Sequence, residues 1–234
     1  MTQTQIVLVP GFWLGAWAWD EVATRLRERG YAVTALTPPG QGEDDDARAG
    51  VTPQDQADAL LAALDPGADR RVVVVHSGAA IAGTLALDQR PDQVDHVVWV
   101  DTAPVTDGAV MNPDLDSDTF PLEAAWDEEM EQGSMRGLTD DQLETFRARA
   151  VPQPGTVLST AVSLSDDRRL RVPGTVVCSS FPAEDFRSYA EQGVPFLAAL
   201  PQHTALTYVD LPGGHWPMWS HPEELARVVA DAAG

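Results

Sequence analysis

Ser77 stands in His76-Ser77-Gly78-Ala79-Ala80, directly after the apolar run Val72-Val73-Val74-Val75 and before a stretch of small residues. A serine on a sharp strand-to-helix turn is lifted clear of the backbone, where a substrate can reach its hydroxyl. Positions two before and two after it must then be small, because strand and helix nearly touch. Ala79 satisfies the forward requirement, whereas Val75 departs from the backward one. The bland alternative is a serine that only caps a helix. A second group is His215, at the end of Leu211-Pro212-Gly213-Gly214-His215 and ahead of Pro222-Glu223-Glu224. A histidine on a glycine-rich loop after the last strand can swing over the sheet's carboxyl edge. There it could take the Ser77 proton and later return it to a leaving group. The third signal is Val9-Pro10-Gly11-Phe12-Trp13. Acyl transfer needs donors aimed at the developing oxyanion, and the backbone N–H groups of Phe12 and Gly78 form the natural pair. Its bland counterpart is a simple strand-ending turn.

The remaining histidines read as structural or surface groups. His76 adjoins the serine but points the other way, His221 lies in a Ser-His-Pro helix entry, and His96 and His203 have no chemical context. Cys178 is the only cysteine and lies in an apolar run, so no internal disulfide can form and nothing argues for an oxidising compartment.

These groups must be carried by regular elements, and the first hundred residues alternate strand and helix patterns. Strands are expected at Ile6–Val9, Tyr31–Leu36, Arg71–Val75 and Val94–Val100. Helices are expected from about Ala16 to Arg29 (stopped by Gly30), from Thr52-Pro53-Gln54-Asp55 to about Asp65, and from Gly78 to about Gln89. Repeated strand–helix–strand units predict a doubly wound, mostly parallel α/β sheet. The pattern breaks after Pro104. Acidic helical segments (Leu122–Gln132, Thr139–Ala150) and no convincing strand suggest a helical cap over residues 106–168, inserted in a core of residues 1–105 and 169–234. Strands resume at Gly174–Cys178 and Ala205–Asp210, and a last helix follows from Glu223 to about Ala232.

At 234 residues, 44% apolar, the chain suits one well-buried core. Its formal net charge is −21, and every basic residue is an arginine. Such a surface repels nucleic acid and anionic membranes, so neither is an expected partner. Glu43-Asp44-Asp45-Asp46 reads as a solvated loop. Neither a signal peptide nor an apolar stretch of about 18 residues is present, so the default location is cytoplasmic. Oligomeric state is left open, and no metal or cofactor is expected.

Together these motifs resemble the α/β-hydrolase superfamily, and within it the small esterase and hydroxynitrile-lyase branch. Gly15-Ala16-Trp17-Ala18-Trp19 resembles that branch's Gly-Ala-Trp-x-Trp, and Pro38-Pro39-Gly40-Gln41-Gly42 its Pro-Gly-x-Gly turn. Pro10-Gly11 replaces the usual His-Gly before the oxyanion donor. The resemblance implies an acid that orients His215. In many relatives it follows the strand after the cap, where Glu184 and Asp185 fall out of step; in others it ends the preceding strand, as Asp101 does here. Asp101, Asp185 or Glu184, and no acid at all are therefore three open readings. The implied activity is hydrolysis of a small carboxylic ester, lactone or thioester through an acyl-enzyme on Ser77. Trp13, Trp126, Trp216 and Trp219 are expected to line an apolar pocket for a small-molecule substrate, or else to fill the core. The plant hydroxynitrile-lyase mechanism needs a lysine after the histidine, and this chain has Trp216 there. A carbon–carbon bond hydrolase and a non-catalytic small-molecule binder are the alternatives.

Overall fold

Residues 3–44 and 48–234 are described by a computed structural model; Asp45 and Asp46 of the acidic run lie outside them. The chain runs through β1 (Thr4–Val9), α1 (Asp20–Glu28), β2 (Ala32–Ala35), α2 (Pro53–Ala62), β3 (Arg70–His76), α3 (Ala80–Gln89) and β4 (His96–Val100). It continues with β5 (Thr119–Phe120), α4 (Trp126–Glu131), α5 (Asp140–Arg149), β6 (Gln153–Pro154) and α6 (Gly155–Ser159). The end of the chain supplies β7 (Gly174–Cys178), α7 (Ala183–Glu191), β8 (Leu206–Asp210), α8 (Pro217–Ser220) and α9 (Pro222–Ala233).

Six of these strands form one sheet in the order β2-β1-β3-β4-β7-β8, with every neighbouring pair parallel. The middles of the central strands are apolar because both faces are covered. Ile6, Leu8, Val72, Val74, Val98 and Val100 share one core with residues of α1 and α9. Their alternate neighbours Val7, Val9, Val73, Val75, Val97 and Trp99 share the other with α2, α3 and α7. Side chains alternate across a strand, so a strand buried on both faces is apolar at successive positions.

Local signals act where expected. Thr52 and Asp55 form a reciprocal capping box that starts α2, with Pro53 at its first turn. Gly30, at φ +93°, follows α1. The insert between β4 and β7 corrects the sequence reading in two respects. β5 and β6 pair as a two-stranded antiparallel ribbon where no strand was expected. The predicted helix over 122–132 divides into a 3₁₀ turn at Leu122–Ala124 and α4. Among the described residues no helix is long and apolar enough to cross a membrane.

Candidate active site

Four chain segments converge at the carboxyl edge of the central strands. Ser77 follows β3 directly with φ +52°, a left-handed conformation that aims its side chain off the sheet edge. Its approach to the β1 loop is close: a Cβ on Gly11 would lie 2.8 Å from Ser77 Cβ and 2.9 Å from His76 Nδ1. Gly11 is therefore required by contact. Gln41, buried in the Pro38–Gly42 loop, holds that β1 loop in place by donating from Nε2 to Gly11 O at 2.7 Å and Leu14 O at 2.8 Å. Val75, the bulky residue behind the turn, is accommodated from the opposite side. A Cβ on Gly83 of α3 would already sit 3.0 Å from Val75 Cγ1, so the missing volume is on the helix instead of the strand.

Ser77 Oγ lies 2.8 Å from His215 Nε2, and His215 Nδ1 lies 2.6 Å from Asp101 Oδ2. A carboxylate only accepts, so Nδ1 carries the proton and Nε2 is free to accept from the Ser77 hydroxyl. Asp101 is also left-handed, at φ +47°, and its side chain is buried. Its Oδ1 accepts from the N–H groups of Ser179 (3.0 Å) and Ser180 (2.8 Å), and its Oδ2 from Ser180 Oγ (2.6 Å). Burial pushes the Asp101 carboxyl up, but His215 and Ser180 outweigh it and hold the group below its ordinary value. Burial would lower His215, yet the hydrogen bond and charge of Asp101, with a further contribution from Glu129, raise it. Glu184 and Asp185 sit in the first turn of α7 and do not contact His215.

His76 packs beside His215, with ring centroids 4.7 Å apart, and it is not idle. Fully buried, it is pushed down to about 3 by desolvation and by His215, so it is neutral and donates from Nε2 to His215 O at 2.6 Å. Burial drives the Cys178 thiol up to about 12, which leaves it unreactive.

A cavity of about 500 Å³ opens above Ser77. Phe12, Ile81, Val105, Met111, Phe181 and Phe196 give it apolar walls, and Glu129, Gln132 and Arg136 reach it from the insert. Gly78 leaves room for the Phe12 ring: a Cβ there would lie 2.2 Å from Phe12 Cε1. Met111, Phe181 and Phe196, about half exposed, form its rim.

Trp13, Trp126, Trp216 and Trp219 are not among the residues lining this cavity. Trp13, at φ +67°, turns away from Phe12 into the insert, packs on Phe120 and Phe146, and donates to Phe120 O at 2.9 Å. Trp216 is buried edge-on to Phe146, Trp126 lies under the Arg147 guanidinium, and Trp219 stacks on Trp17. Trp13, Trp216 and Trp219 all pack on Phe146 of α5, and Trp126 packs on the same ring from α4. The lining residues after β7, Phe181, Phe186 and Phe196, follow no sequence motif. Among the described residues no three His, Cys, Asp or Glu side chains are grouped to hold a metal ion.

A parallel sheet with helices on both faces and a serine–histidine–carboxylate chain at its carboxyl edge defines an α/β hydrolase. Residues 6–228 match the alpha/beta hydrolase family, and the chain belongs to it. It is 26% identical to Methylesterase 7 of Arabidopsis thaliana over 99% of this chain and 96% of that one. It is 33% identical to rice Esterase PIR7B, over 44% of this chain and 40% of that protein. The fold also matches the crystal structure of polyneuridine aldehyde esterase, with TM-score 0.70 and 19% identity over the full length of both chains.

Proposed function

We propose that this protein is a serine esterase that cleaves a small, uncharged carboxylic ester, lactone or thioester. Ser77 Oγ attacks the acyl carbon while its proton passes to His215 Nε2. The Phe12 and Gly78 amides receive the oxyanion, and collapse of the tetrahedral intermediate expels the alcohol, which takes the proton from His215. Water, deprotonated by the same imidazole, then releases the acid and restores the serine. Asp101 orients His215 and stabilises the imidazolium. Residues 106–168 act as a cap over the core of residues 1–105 and 169–234, and supply part of the pocket wall.

The observation that carries this reading is the unbroken hydrogen-bond chain Ser77–His215–Asp101 at the floor of an apolar cavity. The contact of Gly11 with Ser77 supports the oxyanion assignment, because it brings the next amide, Phe12, beside the hydroxyl. Esterase names among the relatives fit the same chemistry. A fluorophosphonate probe labels only an activated serine. Wild type should label and turn over a short-chain p-nitrophenyl ester, and Ser77→Ala should lose labelling and at least about 10³-fold in rate. Equal labelling of Ser77→Ala would overturn the assignment.

A further inference from the structure

Three consecutive carbonyls of the loop that carries His215 are each held by a side chain from a different segment. Gly213 O accepts from Arg136 Nε at 3.0 Å and also from Arg136 Nη2. Gly214 O accepts from Ser179 Oγ at 2.5 Å, and His215 O from His76 Nε2 at 2.6 Å. The His215 N–H donates to Ser134 O at 2.6 Å. His76 ends β3 and Ser179 directly follows β7, so the sheet fixes them. Ser134 and Arg136 belong to the insert, and the loop is fully held only when residues 133–136 lie against it. The fit is tight: a Cβ on Gly214 would lie 2.3 Å from Arg136 O and 2.5 Å from Ser134 O.

The same guanidinium also reaches Ser180 O at 3.4 Å, and Ser180 is the residue whose N–H and hydroxyl hold Asp101. Arg136 thus touches the supports of both the imidazole and its carboxylate. Among the described residues it forms no ion pair, so its donors go to loop carbonyls instead of to an acid.

We propose that Arg136 is a positioning residue for His215, through which the insert completes the proton relay. The kinetic part of this proposal rests on the esterase reading above; the geometric part does not. Displacing an imidazole by about 1 Å costs on the order of 100-fold in rate even when the displaced contact is remote from the chemistry. Arg136→Met removes the donors while keeping a long side chain. The test measures kcat and KM on p-nitrophenyl acetate, together with the downfield proton resonance of His215 Nδ1–H in its hydrogen bond to Asp101.

Arg136→Met should lower kcat by about 10- to 100-fold at unchanged KM, and broaden or erase the downfield resonance. Arg136→Lys, which keeps one donor, should recover part of both. Should the methionine variant not fold, the lysine variant carries the test alone: a smaller kcat loss at unchanged KM and a broadened resonance support the proposal. A resonance identical to wild type in the folded variant overturns it, as does a rise in KM at unchanged kcat, which would make Arg136 a substrate-binding group. Failure of the esterase reading is seen separately, as wild type that neither labels with fluorophosphonate nor cleaves esters while its resonance still responds to Arg136.

Discussion

Asp101→Asn changes one atom at nearly constant volume, and the structure dictates which way the new amide must face. Asp101 Oδ1 accepts two backbone N–H groups, from Ser179 at 3.0 Å and Ser180 at 2.8 Å, so that corner must remain an oxygen. The NH₂ is thereby forced to the Oδ2 corner, 2.6 Å from His215 Nδ1 and 2.6 Å from Ser180 Oγ. An amide nitrogen there can only donate, so Nδ1 must accept and the imidazole proton moves to Nε2. Nε2 then faces the Ser77 hydroxyl with a hydrogen and cannot take another. Loss of the correct tautomer costs about 10⁴ in kcat, or roughly 5 kcal/mol of transition-state stabilisation, at little change in KM. The assay is steady-state hydrolysis of p-nitrophenyl acetate, with Asp185→Asn run in parallel and expected to match wild type. An Asp101→Asn enzyme that keeps more than about a tenth of the wild-type kcat would refute the tautomer argument. So would a larger loss in Asp185→Asn.

Because His215 must be neutral to act as a base and is raised above its ordinary 6.5, kcat/KM should fall as pH drops through a midpoint above that value. Glu129→Gln removes one of the charges that raise it, so the midpoint should move to lower pH; an unmoved profile would exclude Glu129 from the relay's electrostatics. Gly83→Leu drives a side chain against Val75, whose Cγ1 lies only 3.0 Å from an added Cβ, and should cost about 1–3 kcal/mol. Thermal melting reads this as a drop of roughly 2–4 °C per kcal/mol, and Val75→Ala in the same chain should restore part of it. Asp88 and Arg169 are a buried pair at 3.3 Å, and Asp88 also accepts the N–H groups of Ser165 and Asp166. Asp88→Asn should cost about 3 kcal/mol by leaving Arg169 short of a buried partner; an unchanged melting temperature would refute the pair's role in anchoring the end of the insert.

The parts of this molecule that could be read from sequence are those fixed by short-range physics. Strands buried on both faces leave β-branched runs, and Thr52-Pro53-Gln54-Asp55 announces a helix because its capping bonds span three residues. The Ser77 turn and the His215 loop are likewise local. The acid was ambiguous because Asp101 is defined by partners 78 and 79 residues away: Ser179 and Ser180 reach it only through the register of β4 on β7, where Val100 pairs with Val177. The pocket walls were hidden for a related reason. Phe12 and Trp13 are adjacent in sequence, yet the left-handed backbone at Trp13 sends one ring to the cavity and the other into the insert. Residue type alone therefore could not choose between pocket and core for the tryptophans. α7 leaves only a short trace in the sequence, Phe186 and Ala190 at helical spacing ahead of Gly193.

Among the described residues, the non-glycine positions with positive φ are Trp13, Ser77 and Asp101. They follow β1, β3 and β4, three neighbours in the sheet. In a regular strand a side chain must point to one face or the other, and both faces here are filled by helices. At Ser77 and Asp101, which follow their strands directly, a left-handed residue breaks that alternation and projects its side chain along the edge, whereas Trp13 bends the loop four residues past β1. Each such residue costs about 1–2 kcal/mol, so the edge holds on the order of 3–6 kcal/mol that the two cores must offset. Trp13 uses the bend to grip the insert, while Ser77 and Asp101 use it to meet His215. The strain thus marks the edge as the place where chain leaves the sheet to do something, and the side chain at each bend decides whether that is docking or chemistry.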